Sequence, residues 1–272
     1  MRIQKRSKSH HSKRRALVTG GASGIGYAVA KALLDSGAWV AIADIETSSL
    51  ARAAKSLASK RLLPIRMDVT SQSSVQAGAN LAAAEFGGLN TLVNCAGVID
   101  LKPLSEITES LWDHVVDIDL KGVFLCCQAV APLLCNSGQG RIVSISSDAG
   151  KMGYPLASSY CAAKFGVIGF SKAIAGELAP HGVTVNCVCP IGVTSTRMGR
   201  KVIQWLEKRT GRSKDELQTS RDRSTPLGRM ATTDDVVHAV MFFLSEEAGF
   251  FTGEALNVDG GLLSTGLIPG IE

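Results

Sequence analysis

The 272-residue sequence contains no stretch of about 18 uninterrupted apolar residues, the length a membrane-spanning helix needs. Its longest apolar segments, such as "ALVTGGASGIG" and "GVFLCCQAVAPLLC", are broken by glycine, polar residues or proline, so no membrane partner is expected. The N-terminus is basic but leads into a strand without an apolar h-region, so no secretory signal is expected either. The seven cysteines (Cys95, Cys126, Cys127, Cys135, Cys161, Cys187 and Cys189) include no Cys-x-x-Cys pair and no Cys/His spacing typical of zinc. No metal site is expected from them. Most lie inside apolar runs and read as buried free thiols of a reducing, cytoplasmic compartment. There is also no internal repeat and no low-complexity linker, which points to one domain.

What is present is a chain with enough apolar residues, 45%, to bury a full core. Seven basic residues and no acid stand within the first fifteen positions, so the formal charge of +5 comes from this segment and the rest is slightly acidic. Residues 1–13 read as a basic, disordered, solvated tail. A nucleic-acid role would need more than such a tail, and no nucleic-acid motif accompanies it.

From residue 14 to 272 strand-like apolar runs alternate with amphipathic helical segments. The runs are "RALVTG" (15–20), "AWVAIAD" (38–44), "RLLPIRMD" (61–68), "NTLVNCAG" (90–97), "GRIVSISS" (140–147), "VTVNCVCP" (183–190) and "EALNVDGG" (254–261). A long helix is expected over roughly 108–136. Continuously apolar strands imply burial on both faces, and strand–helix alternation implies right-handed crossovers. The expected fold is therefore a Rossmann-type, doubly wound parallel α/β sheet of about seven strands, with helices on both faces. The long connection 191–226, with a helix "KVIQWLEKRTG", is expected to cover the substrate side. It holds nine basic against four acidic residues, an excess that fits either a solvated lid helix or steering of an anionic substrate.

At the first strand-to-helix turn stands "TGGASGIG". Gly20, Gly24 and Gly26, with Ser23 and Ile25 between them, make a turn whose backbone amides and following helix N-terminus suit a dinucleotide pyrophosphate. Asp44 ends the second strand, eighteen residues past Gly26. An acid there accepts hydrogen bonds from an adenosine ribose and repels a 2′-phosphate, and position 23 is Ser rather than a cation. Both features favour NAD over NADP. Further along, Tyr160 follows Ser147 by thirteen residues and Lys164 follows Tyr160 by four. Residues i and i+4 share a helix face. An ammonium about 5 Å from a phenol, at an effective dielectric of about 20, attracts the phenolate by roughly 3 kcal/mol, or about two pKa units. Tyr160 thereby reads as a general acid/base and Ser147 as a hydroxyl that holds the substrate oxygen.

"TGGASGIG", "NCAG" (94–97), Ser147, "YCAAK" (160–164), "VNCVCP" (185–190) and "FTGEALNVDGG" together resemble the short-chain dehydrogenase/reductase family across roughly residues 14–263. The resemblance implies hydride transfer between a nicotinamide and a secondary alcohol or ketone, with Lys164 also holding the nicotinamide ribose. It assigns adenine contacts to Asp68 and Val69, although Asp68 also reads as a cap of the following helix. The fourth-strand motif falls on Asn94, Ala96 and Gly97, and a carboxamide clamp on Pro190, Val193 and Ser195. It also implies a homotetramer or dimer packed through the helices at 108–136 and 155–179. Three positions depart from the family pattern: Cys95 replaces an Asn, Ile191 replaces a Gly that Gly192 stands in for, and Asp119 replaces the Asn that is the fourth catalytic member. An ionised Asp119 offers no donor, so it is expected either to be protonated by burial or to sit in altered helix geometry. Two rival readings stand beside this one: a catalytically weak NAD-binding regulator, and a nucleic-acid binder acting through the tail.

Overall fold

The apolar runs, rich in Val, Ile and Leu, form seven strands: β1 (Arg15–Thr19), β2 (Trp39–Asp44), β3 (Leu62–Arg66), β4 (Thr91–Asn94), β5 (Arg141–Ile145), β6 (Thr184–Pro190) and β7 (Ala255–Val258). This is a computed structural model that describes residue 11 and residues 13–265, so the rest of the basic segment 1–13 lies outside the described residues. All pairings are parallel, in the order β3-β2-β1-β4-β5-β6-β7. Every residue of β5 and β6 is buried, as expected of strands covered on both faces. The order reverses between β1 and β4, and ligand crevices open at the carboxyl ends of strands at such a point.

Helices α1 (Gly24–Asp35), α2 (Thr47–Leu57) and α3 (Gln72–Phe86) make the first three crossovers. Helices α4 (Glu109–Val116) and α5 (Gly122–Ser137) link β4 to β5, and α6 (Ser158–Leu178) links β5 to β6. The long connection to β7 carries α7 (Arg197–Thr210), α8 (Lys214–Asp222) and α9 (Thr233–Leu244). One core layer joins the sheet to α1 and α9 through residues such as Val29, Leu33, Val240 and Phe243. The other joins it to α3, α5 and α6 through Val75, Val130, Leu134 and Val167.

The helix expected over 108–136 is interrupted. Between α4 and α5 lies a π turn, Asp117–Lys121, whose closing bond runs from the Gly122 N–H to the Asp117 carbonyl. One wider turn admits one extra residue and re-aims the side chains around it. Asp119, at its centre, is fully buried. The whole run Glu109–Ser137 is 29 residues with a window of mean hydropathy 1.6, long and apolar enough by composition to cross a membrane. Here its Val123, Cys126, Val130 and Leu134 are buried in the core, and α5 packs on α3, α6, β4 and β5.

The tips of β1 and β4 are locked together at the crevice. Thr19 Oγ1 accepts from the amides of Cys95 (3.1 Å) and Ala96 (3.2 Å). Thr19→Val leaves both amides without their acceptor, and the expected loss is about 1–3 kcal/mol of stability, read from the urea midpoint. An unchanged midpoint would show that the two tips are held by packing alone.

Candidate active site

The glycine turn occupies the crevice between β1 and β4. Gly20 has a φ of +61°, and a Cβ there would lie 2.9 Å from Ala96 Cα. At Gly26 a Cβ would lie 2.4 Å from the Gly20 carbonyl oxygen, so the turn folds tightly onto α1. Ser23 is the N-cap of α1 in extended conformation, yet its side chain makes no capping bond. The first amides of α1 are thus left to an outside acceptor. Asp44, at the end of β2, lies beside the turn: Oδ2 accepts from Ala22 N (3.3 Å) and Oδ1 from Glu46 N (3.1 Å).

Several residues drawn from the family pattern have structural neighbours of their own. Asp68 is not the helix cap. Its Oδ1 accepts from the Thr70 amide and hydroxyl, while Ser71 caps α3. Val69 packs against Gly122 at the start of α5. Asn94 donates through Nδ2 to Ser144 Oγ (3.1 Å) and Cys127 Sγ (3.5 Å), and so ties β4 to β5 and α5.

Tyr160 and Lys164 lie one turn apart on α6, both buried, with the ammonium 5.4 Å from the phenol ring centre. Lys164 Nζ donates to the Ile145 carbonyl (3.2 Å) and lies 3.0 Å from Asp119 Oδ2. Asp119 Oδ1 accepts from Val98 N at 2.7 Å. The altered helix geometry anticipated for Asp119 is therefore the π turn, and the carboxylate meets the lysine directly. A Cβ at Gly97 would lie 3.1 Å from Asp119 Oδ2 and 3.5 Å from Lys164 Nζ, so this glycine makes room for the ion pair.

This arrangement changes the electrostatics of Tyr160. Burial pushes its pKa up, Lys164 pulls it down, and Asp119 pushes it up again, leaving it above the ordinary tyrosine value. The depression expected from Lys164 alone is thus not realised in the chain by itself. Burial acts to lower the Lys164 pKa, but Asp119 and then Tyr160 outweigh that and hold it above the ordinary lysine value. Burial raises that of Asp119 against the pull of Lys164 and the Val98 amide.

Ser147, just past β5, caps the 3₁₀ turn Asp148–Gly150. Its hydroxyl donates to Asp148 Oδ1 (2.7 Å) and accepts from Ala149 N (3.2 Å). The Tyr154 hydroxyl donates to Asp148 Oδ2 at 2.6 Å. Burial, then the Asp148 charge, pushes the Tyr154 phenol up, so it stays a donor.

Beyond β6, Ile191 is buried in the core. Gly192 has no unusual φ, so it restores no backbone freedom; instead a Cβ there would lie 2.3 Å from Arg221 Nη2. The Val193 carbonyl is taken by the Thr196 amide (3.2 Å) and hydroxyl (2.8 Å). Ser195 is exposed and away from the cavity wall, whereas Thr196 caps α7, lines the cavity and faces the glycine turn, 3.6 Å from a Cβ at Gly24. A Thr directly before an amphipathic helix is a capping signal that would have pointed to it. Ser147, Tyr160, Lys164, Ile25, Gly97, Pro190, Val193 and Thr196 all border one cleft of about 430 Å³, roofed by residues of α7 and α8. Among the described residues the seven cysteines are unpaired and no cluster of metal-ligating side chains occurs.

The sheet order and this crevice define a Rossmann-type α/β protein with a buried Ser–Tyr–Lys cluster beside the glycine turn. Residues 14–207 match the family described as short chain dehydrogenase. The chain is 39% identical to D-threitol dehydrogenase of Mycolicibacterium smegmatis over 248 residues, covering 90% of this chain and 91% of that protein. It is 40% identical to cis-4-hydroxycyclohexanecarboxylate dehydrogenase of Sinomonas cyclohexanicum over 253 residues, covering 92% and 96%. A crystal structure of an actinorhodin polyketide ketoreductase variant with NADPH superposes with a TM-score of 0.89 at 33% identity, covering 94% of this chain and 100% of that one. The chain belongs to the short-chain dehydrogenase family and is an oxidoreductase.

The buried ion pair is tested by a double-mutant cycle. Asp119→Asn strands the Lys164 charge and should cost about 3 kcal/mol, lowering Tm by roughly 6–12 °C. Lys164→Met added to it should recover part of the loss. Strictly additive effects would mean that the two residues are not coupled.

Proposed function

We propose that the protein oxidises a secondary alcohol, or reduces the matching ketone, with NAD as hydride carrier and Tyr160 as general acid/base. The observation that carries this reading is the convergence of Ser147, Tyr160 and Lys164 on one cleft that reaches the glycine turn. The dinucleotide supplies the hydride acceptor when bound. The residues fit it: Gly20 and Gly26 let the turn close against Ala96 and onto α1, and the uncapped amides of α1 offer donors to phosphate.

In oxidation the Tyr160 phenolate takes the O–H proton of the alcohol while the carbinol carbon gives up a hydride, which a bound nicotinamide would accept, and the ketone results. Reduction reverses both transfers. Ser147 steadies the oxygen as charge develops on it once its single hydroxyl proton, donated to Asp148 in the free chain, turns to the substrate. Lys164 stays charged between Asp119 and the Ile145 carbonyl, and would hold the ribose of a bound nicotinamide. Two of the relatives are named for polyol oxidation, D-threitol and galactitol 2-dehydrogenases, and others for ketoacyl reduction. That range supports the reaction class on alcohols and ketones.

Asp44 supports NAD over NADP, since its carboxylate stands beside the turn where a 2′-phosphate would bring like charge. The ketoreductase with NADPH shows that a close fold neighbour holds the phosphorylated form. A homotetramer or dimer is supported by exposed Phe124 and Phe165 on α5 and α6.

Two measurements test this reading. Tyr160→Phe should lower kcat by at least about 100-fold while NADH binding by fluorescence titration stays within about threefold. Retained turnover would remove Tyr160 from the chemistry. NADH should bind at least about tenfold more tightly than NADPH, and Asp44→Ala should narrow the gap; equal affinities in the unaltered protein would overturn the preference.

A further inference from the structure

The cleft holds a second cation besides Lys164. Arg221, near the end of α8, lines it from the lid side, and its Nη2 lies against Gly192. Its Nε is buried without a hydrogen-bond partner, and no side-chain hydrogen bond or ion pair of this guanidinium occurs among the described residues. Arg221 is half-buried, with only its Nε fully shielded, so the guanidinium keeps donors that an anion entering the cleft could take.

No acid among the described residues takes these donors. Asp148 has Oδ1 engaged by Ser147 and the Ala149 amide, and Oδ2 by Tyr154. Asp222 Oδ1 accepts from Gln218 Nε2 and Met230 N. Burial lowers the Arg221 pKa, while Asp148, Tyr154 and Asp222 draw it back up from a distance. Arginine nevertheless stays cationic. Lys164, by contrast, is already matched by Asp119. Arg221 is thus the cleft's one cation without a directly bonded carboxylate, with Asp148 of the same wall acting on it only through space.

The rest of the wall is mostly apolar: Ile99, Leu101, Met198, Val202, Trp205 and Leu206 face the same space. A single guanidinium presents a planar fork that matches one carboxylate through two parallel hydrogen bonds. A doubly charged phosphate would remain half unmatched here. From this geometry we infer that the cleft selects hydroxy and oxo monocarboxylic acids with an apolar body, the carboxylate docking on Arg221 while the carbinol meets Tyr160. The inference rests on the alcohol/ketone reading above and names its substrate class. The neighbouring cleft of about 210 Å³, which shares Ile99, Leu101, Val202 and Trp205 with this one, carries Lys201 and Lys208 at its rim. These cations favour approach of an anion, with Asp100 the one acid among them.

The test uses a matched pair, 4-hydroxycyclohexanecarboxylate and its neutral carboxamide, oxidised with NAD by the full-length protein. The unaltered enzyme should prefer the acid by at least about tenfold in kcat/KM. In Arg221→Met that ratio should fall about 10- to 100-fold, chiefly through KM for the acid, with Arg221→Lys intermediate. NADH affinity should stay within about threefold in both variants. Equal or better use of the carboxamide by the unaltered enzyme overturns the inference, and that arm needs no variant to fold. So does an Arg221→Met that keeps the acid preference, or one that loses NADH binding, which would make Arg221 a cofactor contact. Failure of the broader reading looks different: no Tyr160-dependent turnover of either member of the pair or of neutral secondary alcohols.

Discussion

The site is organised around one buried ion pair. Asp119 and Lys164 meet at 3.0 Å in a setting that excludes water, and each brings a second partner: the Val98 amide for the acid and the Ile145 carbonyl for the ammonium. A buried pair stabilises only when its geometry is good and its remaining hydrogen-bonding capacity is met. Here the partners come from four segments: the π turn, the exit of β4, the end of β5 and α6. The pair therefore fixes the places where the candidate catalytic groups stand. It also bears on their electrostatics, because Asp119 opposes the pull of Lys164 on Tyr160, whose pKa burial already raises.

Much of this was legible in the sequence, for clear physical reasons. Strands buried on both faces are written as unbroken apolar runs, so all seven were found, in register with the glycine turn and Asp44 at their carboxyl ends. The i, i+4 spacing of Tyr160 and Lys164 fixed a shared helix face before any coordinate was known. The π turn was not legible. One extra residue in a helix leaves the apolar pattern of α4 and α5 almost unchanged, and what shifts is the aim of a single side chain. The contacts of Asn94 and Gly192 were not legible for a related reason. Each belongs to a recognisable motif, but its contacts, with Ser144 and with Arg221, come from segments distant in sequence. The motif match points to Ser195, whereas Thr196, the cap of α7, is the hydroxyl residue that lines the cleft.

The lid follows a simpler logic. Helix α7 turns Met198, Val202, Trp205 and Leu206 toward the cleft and leaves most of its cations facing water. The excess positive charge of residues 191–226 is thus mainly a solvated face. Arg221 is the exception, carried by the shorter α8 into the cleft itself. In the proposed reading the chemistry resides on the rigid ends of β4, β5 and α6, and substrate choice on a surface segment that can vary without disturbing them.

The most direct measurement is the pH dependence of kcat/KM for alcohol oxidation in the unaltered protein and in Asp119→Asn. Removing the carboxylate leaves the Lys164 charge uncompensated, which lowers the Tyr160 pKa and makes the phenolate available at lower pH. The account predicts that the limb rising toward alkaline pH moves down by about one unit in the variant. A limb that stays in place or moves up would mean that Asp119 does not govern the charge on Tyr160.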